Sequence, residues 1–286
     1  MTRADLHAHS RRSDGTDSPG DLMAAAVAAG LDLIALTDHD TTAGWAEAAE
    51  QRPRGLTVLP GVELSCGSPV PDAPAIGVHL LGYLFDPAHE GLRRERLRLR
   101  ESRYARAEEM VRRMSEAGLP VAWEQVSGLA AGGPVGRPHM ARALVEAGWA
   151  ESVDDAFARY LHHSSPHHVR KVDTDVRDGV RLIRAAGGVP VLAHPLARRR
   201  GRVIDDDVVA ELAGLGLLGL EVDHPDNNLA DRAHLRSLAR DLGLLCTGAS
   251  DYHGTNKPTP LGAELTEPGV VEALIGLSTG SSPFTD

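Results

Sequence analysis

The sequence of 286 residues has little cysteine, few aromatic residues and no long apolar run. Two cysteines, Cys66 and Cys246, are too few for a disulfide framework, and an isolated pair in a chain of this length fits a reducing compartment. The opening residues, Met1-Thr2-Arg3-Ala4-Asp5-Leu6-His7, lack the apolar stretch of a signal peptide. No segment approaches the roughly 20 apolar residues that a membrane helix requires, so a soluble, cytoplasmic protein that does not bind membranes is expected. There is no internal repeat or low-complexity segment. Basic charge is also short: the net charge of -10 argues against a surface that coats duplex nucleic acid. It leaves room for a phosphorylated substrate, because bound divalent cations invert the local charge of an acidic cleft. Aromatic residues at 3% argue against a platform on which successive bases stack.

What is present is an alternation of helices and short apolar strands. Ser18-Pro19-Gly20-Asp21 has the form of a helix start, the helix runs through Met23 to Ala29, and Gly30 closes it. The apolar run Leu33 to Leu36 then stops at Thr37-Asp38-His39, as a buried parallel strand ending in a polar loop does. The same grammar predicts a helix over 43–51, strands over 57–59, 62–64 and 76–84, a helix over 175–186 and a strand over 189–193. It continues with helices over 205–213 and 231–242 and strands over 219–222 and 244–248. Such alternation over most of a chain indicates an α/β fold with a parallel sheet, and at this length a closed or nearly closed barrel leads over an open doubly wound sheet.

Between Glu90 and Lys171 the strands vanish. A long Arg-rich helix over 90–117, and further helices over 138–148 and 153–160, predict a helical insertion. Glutamates alternate with its arginines, as on a solvated helix face rather than a nucleic-acid patch. The expected division is a barrel domain of residues 1–89 and 172–286 and an inserted subdomain of 90–171. The Ser/Thr/Gly/Pro-rich tail from Ser278 to Asp286 is expected to fray.

Nearly every predicted strand leads to a histidine or a carboxylate. His7 and His9 follow the strand Ala4 to Leu6, and their i, i+2 spacing puts both imidazoles on one face of an extended chain. Asp38-His39, Glu63, His194, and Asp251 with His253 follow later strands, and His79 stands among apolar neighbours. Taken singly, each has an ordinary explanation as a core histidine or a helix cap. In a barrel, however, strand ends converge on one rim, so residues spread from His7 to His253 meet in space. Imidazole and carboxylate without thiolate suit Zn, Mn or Fe. Carboxylates bridging two such ions suit hydrolysis of a phosphate ester.

His7-Ala8-His9-Ser10 with Asp14-Gly15-Thr16, Thr37-Asp38-His39-Asp40, Gly61-Val62-Glu63-Leu64-Ser65, His79-Leu80-Leu81-Gly82-Tyr83, Ala193-His194-Pro195 and Gly248-Ala249-Ser250-Asp251-Tyr252-His253 resemble, in order, the successive motifs of the PHP (polymerase and histidinol phosphatase) superfamily. Within it the chain is similar to the TrpH-like phosphoesterases, which have Asp at the position of Asp14 and a helical insertion before the His-Pro motif.

That resemblance implies a distorted seven-stranded β/α barrel and two or three divalent metal ions (Mn, Zn or Fe). His7, His9, Glu63 and Asp251 would hold one ion, Glu63, His79 and His194 a second, and Asp14, His39 and His253 a third. A hydroxide on the metals would be the nucleophile, with Asp251, His253 and His194 beside it. Arg137 and His139 in Gly136-Arg137-Pro138-His139, together with Lys171 and His224, are the implied substrate contacts. The segment before Lys171, His162 to His168, lacks the glycines common there in this subgroup.

The implied activity is hydrolysis of a small nucleotide: the 3'-phosphate of a nucleoside 3',5'-bisphosphate, the 5' end of a short RNA, or both. A histidinol-phosphate phosphatase is the alternative within the enzymes, and a non-catalytic metal-binding regulatory module the alternative outside them.

Overall fold

A computed structural model describes residues 2–130, 133, 135–162, 164–170 and 172–286. The chain begins with β1 (Ala4–Ala8), α1 (Pro19–Ala28), β2 (Leu33–Leu36), α2 (Trp45–Glu50), β3 (Thr57–Val70) and β4 (Ala73–Tyr83). Four helices follow: α3 (Glu90–Glu116), α4 (Trp123–Leu129), α5 (Arg137–Glu146) and α6 (Val153–Ala156), the last continued by a π-turn over Phe157–Leu161. Then come β5 (Thr174–Asp175), α7 (Val176–Ala185), β6 (Val189–Ala193), α8 (Asp206–Gly214), β7 (Gly219–Asp223), α9 (Leu229–Leu242), β8 (Leu245–Gly248) and α10 (Pro268–Gly276).

The sheet runs β1-β2-β3-β4-β6-β7-β8, with β5 beside β3. It curls into a nearly closed barrel: Ala8 bridges Tyr252, the His9 N–H donates to the Tyr252 carbonyl (2.8 Å), and the Tyr252 N–H donates to the His7 carbonyl (3.3 Å). The α/β barrel expected from the sequence is therefore present, but the sheet is mixed rather than parallel. β4 is antiparallel to both β3 and β6. The cause is local, since β3 and β4 are joined only by Pro71 and Asp72, and so short a connection permits only an antiparallel pair. Asp72 takes up the turn with φ 54°. The two strands expected over 57–59 and 62–64 are one, because Pro60 and Gly61 remain extended within β3.

Along the strands, alternate residues face opposite ways. Leu33, Ala35, Leu81, Tyr83, Val189 and Val191 join one apolar cluster, and Ile34, Leu36, Leu80, Leu192, Leu220 and Val222 join another with α1, α7 and α8. By that alternation His79 shares the face of Leu81 and Tyr83, and Glu221 faces away from Leu220 and Val222. The barrel interior thus has an apolar floor and a polar upper end. Ser18 caps α1 by accepting the Asp21 N–H at 3.0 Å, as its sequence predicts.

Residues 90–171 contain no strand among those described. Leu92 and Leu99 of α3 pack into the barrel's cluster, whereas Met110, Val111 and Met114 belong to a separate one with Val126, Met140, Leu144 and Leu161. Helix α3 therefore spans both cores. The tail does not fray. Phe284 and Val58 exchange backbone hydrogen bonds (2.8 and 3.0 Å), and the Ser281 N–H donates to the Leu84 carbonyl at 2.7 Å. The sequence hides this, because the tail is held by backbone groups at the part of β3 where β4 no longer pairs. Among the described residues no helix is long and apolar enough to cross a membrane.

Candidate metal centre

The interior's polar end gathers side chains from β1, β3, β4 and β7 and from the loops after β1, β2, β6, β7 and β8. At its middle lies Glu63, which is buried. Its Oε2 is 3.0 Å from His9 Nε2, 3.2 Å from His7 Nε2 and 3.2 Å from His39 Nδ1. Its Oε1 is 2.6 Å from His79 Nδ1 and 3.1 Å from His194 Nε2. Asp251 Oδ1 stands 3.4 Å from each of His7 Nε2, His9 Nε2 and His253 Nδ1. Asp14 approaches His253 Nε2 at 3.3 Å, His9 Nδ1 at 3.6 Å and His39 Nε2 at 3.7 Å.

Among the described residues, three groups have donor atoms within 4.8 Å of one another: His7, His9, Glu63 and Asp251; His9, Asp14, His39 and His253; and His39, Glu63 and His79. All nine residues singled out from the sequence as ligands lie in this one cluster. His9 borders two groups where the sequence suggests one, and His194 joins through Glu63 Oε1.

Burial would by itself raise the carboxylates' pKa values. It is outweighed at Glu63 by His39, His79 and His7, at Asp14 by His39 and His253, and at Asp251 by Lys257, His7 and Arg200, so all three are held well below the usual carboxylate range. The imidazoles divide. Burial, with Arg200 beside it, pushes His194 down to about 3, and burial with Lys257 pushes His253 down to about 4. Burial also lowers His39. Burial acts the same way on His9, but the neighbouring carboxylates of Asp251 and Glu63 win and raise it to about 9; Glu63 and Glu221 likewise raise His7.

Does this cluster fit divalent metal ions? Asp14 Oδ1, Asp251 Oδ1 and His39 Nδ1 are buried and have no hydrogen-bond partner among the described residues, a costly condition unless a cation takes their lone pairs. His7 Nε2 and His9 Nε2 face each other at 3.0 Å, which needs a shared proton or cation. The donors are hard and borderline, nitrogen and oxygen, as Zn, Mn and Fe prefer. They fit.

The loops that present these side chains are held tightly. Asp38 accepts the Ser10 N–H (2.8 Å), the Ser10 hydroxyl (2.7 Å) and the Ser13 hydroxyl (2.6 Å), which fixes the loop carrying His9 and Asp14. Asp40, His194 and Asp251 sit at φ 55°, 30° and 53°, a strained backbone that their surroundings must enforce.

Sequence reasoning missed Glu221. It is fully buried, its Oε1 pairs with His7 Nδ1 at 2.9 Å, and its Oε2 accepts the His194 backbone N–H at 2.8 Å. A glutamate inside the apolar strand Gly219–Asp223 was the available signal. Of the substrate candidates, His224 lies against Asp251, Nε2 to Oδ2 at 3.3 Å. His139 is buried at the start of α5, where its Nδ1 accepts the Gly136 N–H (3.1 Å). Arg137 donates to the Leu161 carbonyl (3.1 Å) and lies over the Phe157 ring. Lys171 lies outside the described residues.

The PHP domain family model matches residues 5–164. The 5'-3' exoribonuclease Rnm of Salmonella typhimurium is 33% identical over 94% of this chain and 92% of its own length. The 3',5'-nucleoside bisphosphate phosphatase of Chromobacterium violaceum is 33% identical over 88% of each chain. Among solved structures, a protein of Bifidobacterium adolescentis assigned as a metal-dependent phosphoesterase superposes with a TM-score of 0.91 at 34% identity, covering 98% of this chain and 97% of that one.

Proposed function

This chain belongs to the PHP domain family, and on that premise we propose that it is a metal-dependent phosphoesterase whose substrate is a small nucleotide. The reaction we assign is removal of the 3'-phosphate of a nucleoside 3',5'-bisphosphate, or cleavage at the 5' end of a short RNA. Relatives named for each of these activities match nearly the whole chain. The observation that carries the reading is Glu63, whose two oxygens separately meet His7, His9 and His39 on one side and His79 and His194 on the other, the posture of a bridging carboxylate.

In this reading His7, His9, Glu63 and Asp251 would hold one ion, Glu63, His79 and His194 a second, and Asp14, His39 and His253 a third, with Mn, Zn or Fe as the metal. Bound divalent ions would supply a nucleophilic hydroxide at neutral pH and offset phosphoryl charge. The protein's own part is to keep His194 and His253 neutral by burial beside Arg200 and Lys257, so that they offer lone pairs rather than protons, and to keep Asp251 ionised through Lys257, His7 and Arg200. Residues 1–89 and 172–286 form the barrel in this assignment, and 90–171 an inserted subdomain. That subdomain supplies substrate contacts from Arg137, His139 and Lys171, and His224 adds one from the barrel. His139 is close enough to Asp14 to feel its charge.

Phosphate release from adenosine 3',5'-bisphosphate and from histidinol phosphate, and mononucleotide release from a 5'-phosphorylated oligoribonucleotide, each with Mn, test the reading. Turnover of a nucleotide substrate, abolished in Asp251→Asn with the fold intact, is expected. Turnover of histidinol phosphate alone overturns the substrate assignment, and full metal loading without any turnover favours a binding module.

A further inference from the structure

Two cations stand at the mouth of the metal centre. Arg200 ends the short turn Arg198–Arg200 that follows His194, and Lys257 follows the turn Gly254–Asn256 after His253. Both reach the same atom, Asp251 Oδ2, with Arg200 Nη2 at 2.7 Å and Lys257 Nζ at 2.6 Å, and His224 Nε2 is 3.3 Å from it. A carboxylate oxygen offers two lone pairs, so three donors oversubscribe it. The other oxygen of Asp251 turns inward to the imidazoles. Asp251 therefore has one oxygen for the centre and one for the mouth.

Arg200 is held from behind, its Nε donating to Asp226 Oδ2 at 2.8 Å. That anchor leaves both terminal amino groups facing the site, with Nη1 3.1 Å from His194 Nε2. A guanidinium only donates, so this contact occupies the His194 lone pair, which can serve one partner at a time. Were that lone pair given to a metal ion, Nη1 would be released while Asp226 still held Nε. The side chains of Arg200 and Lys257 are 35% and 32% exposed against 2% for Asp251, so an incoming anion meets these two first.

We propose that Arg200 and Lys257 form an anion clamp that grips the oxygens of the substrate's scissile phosphate at the mouth of the metal centre. This inference rests on the phosphoesterase reading. The guanidinium fork matches two phosphate oxygens, and the lysine supplies a point charge beside it. Placed there, they bind the anionic phosphate and counter the charge that shifts among its oxygens as the ester bond breaks.

Inorganic phosphate is the probe. Wild type, Arg200→Gln, Arg200→Lys, Lys257→Gln and a control, Arg199→Gln on the same turn, would be loaded with Mn. Their metal content would be measured, phosphate titrated by calorimetry, and hydrolysis of adenosine 3',5'-bisphosphate followed in parallel. The clamp predicts unchanged metal content throughout and phosphate affinity weakened about ten-fold or more in Arg200→Gln, with a matching fall in kcat/KM. A smaller loss is expected in Lys257→Gln, partial recovery in Arg200→Lys, and wild-type behaviour in the control. Wild-type phosphate affinity in both glutamine variants overturns the clamp. So does a loss of phosphate binding that only tracks lost metal, since that is what a purely structural hold on Asp251 would give. A wild type that loads metal but neither binds phosphate nor hydrolyses any ester overturns the phosphoesterase reading and the clamp with it.

Discussion

Glu221 Oε1 meets His7 Nδ1 at 2.9 Å with both side chains fully buried, so the far nitrogen of His7 is aimed at Glu63 and Asp251. The second oxygen of Glu221 holds the His194 backbone (2.8 Å), and one carboxylate thereby orients residues 187 positions apart, 194 less 7. Partners of this kind fix the ring orientation of a ligand and raise its basicity. Glu221→Gln is expected to weaken metal binding by about 10- to 100-fold while the fold persists. Competition against a fluorescent chelator measures this, and wild-type affinity would show that Glu221 does not orient the site.

Metal binding should release protons. Burial alone would lower His9, but Asp251 and Glu63 raise it to about 9, and Glu63 and Glu221 raise His7. A cation must displace the protons these imidazoles carry at pH 7, so affinity should increase as the pH rises toward 9. Calorimetry in two buffers of different ionisation enthalpy reads the effect directly. A binding enthalpy independent of the buffer contradicts it.

Helix α3 is fastened to the barrel by a buried ion pair. Arg103 Nε donates to Asp40 Oδ2 at 2.7 Å and Nη2 donates to Ser65 Oγ at 2.5 Å; the arginine side chain is 11% exposed and the aspartate 0%. Removing one member of such a pair leaves the other charge buried, a loss of about 3–5 kcal/mol. Arg103→Met should show this by urea unfolding, and a loss below about 1 kcal/mol would mean that the contact is replaced from elsewhere.

The tail provides a simpler case. Deleting residues 281–286 removes the Phe284 pairing with Val58 and the Ser281 bond to Leu84, and should lower the melting temperature by a few degrees without changing metal content. An unchanged melting temperature would mean that those bonds contribute nothing.

The sequence carried most of the order of elements, though not α4, β5 or α10, and the gathering of His7, Glu63, His194 and Asp251, because parallel strands leave a clear mark: an apolar run that stops at a polar residue. It was silent where structure depends on pairing between distant backbones. The antiparallel setting of β4 lies in a two-residue turn, and the anchoring of the tail lies in hydrogen bonds that any sequence can make. Glu221 was legible in principle, as a charge in a buried strand, but its role shows only when His7 and His194 are beside it. Arg200 and Lys257 sit in turns after the motifs, and nothing in their local sequence marks them as facing Asp251.

Crystals grown with Mn and measured for anomalous scattering test the central claim most directly. Peaks on both sides of Glu63, one bounded by His7, His9 and Asp251 and another by His79 and His194, are the predicted result. Mn found only on the outer surface, with the space around Glu63 empty of anomalous signal at saturating metal, would contradict it.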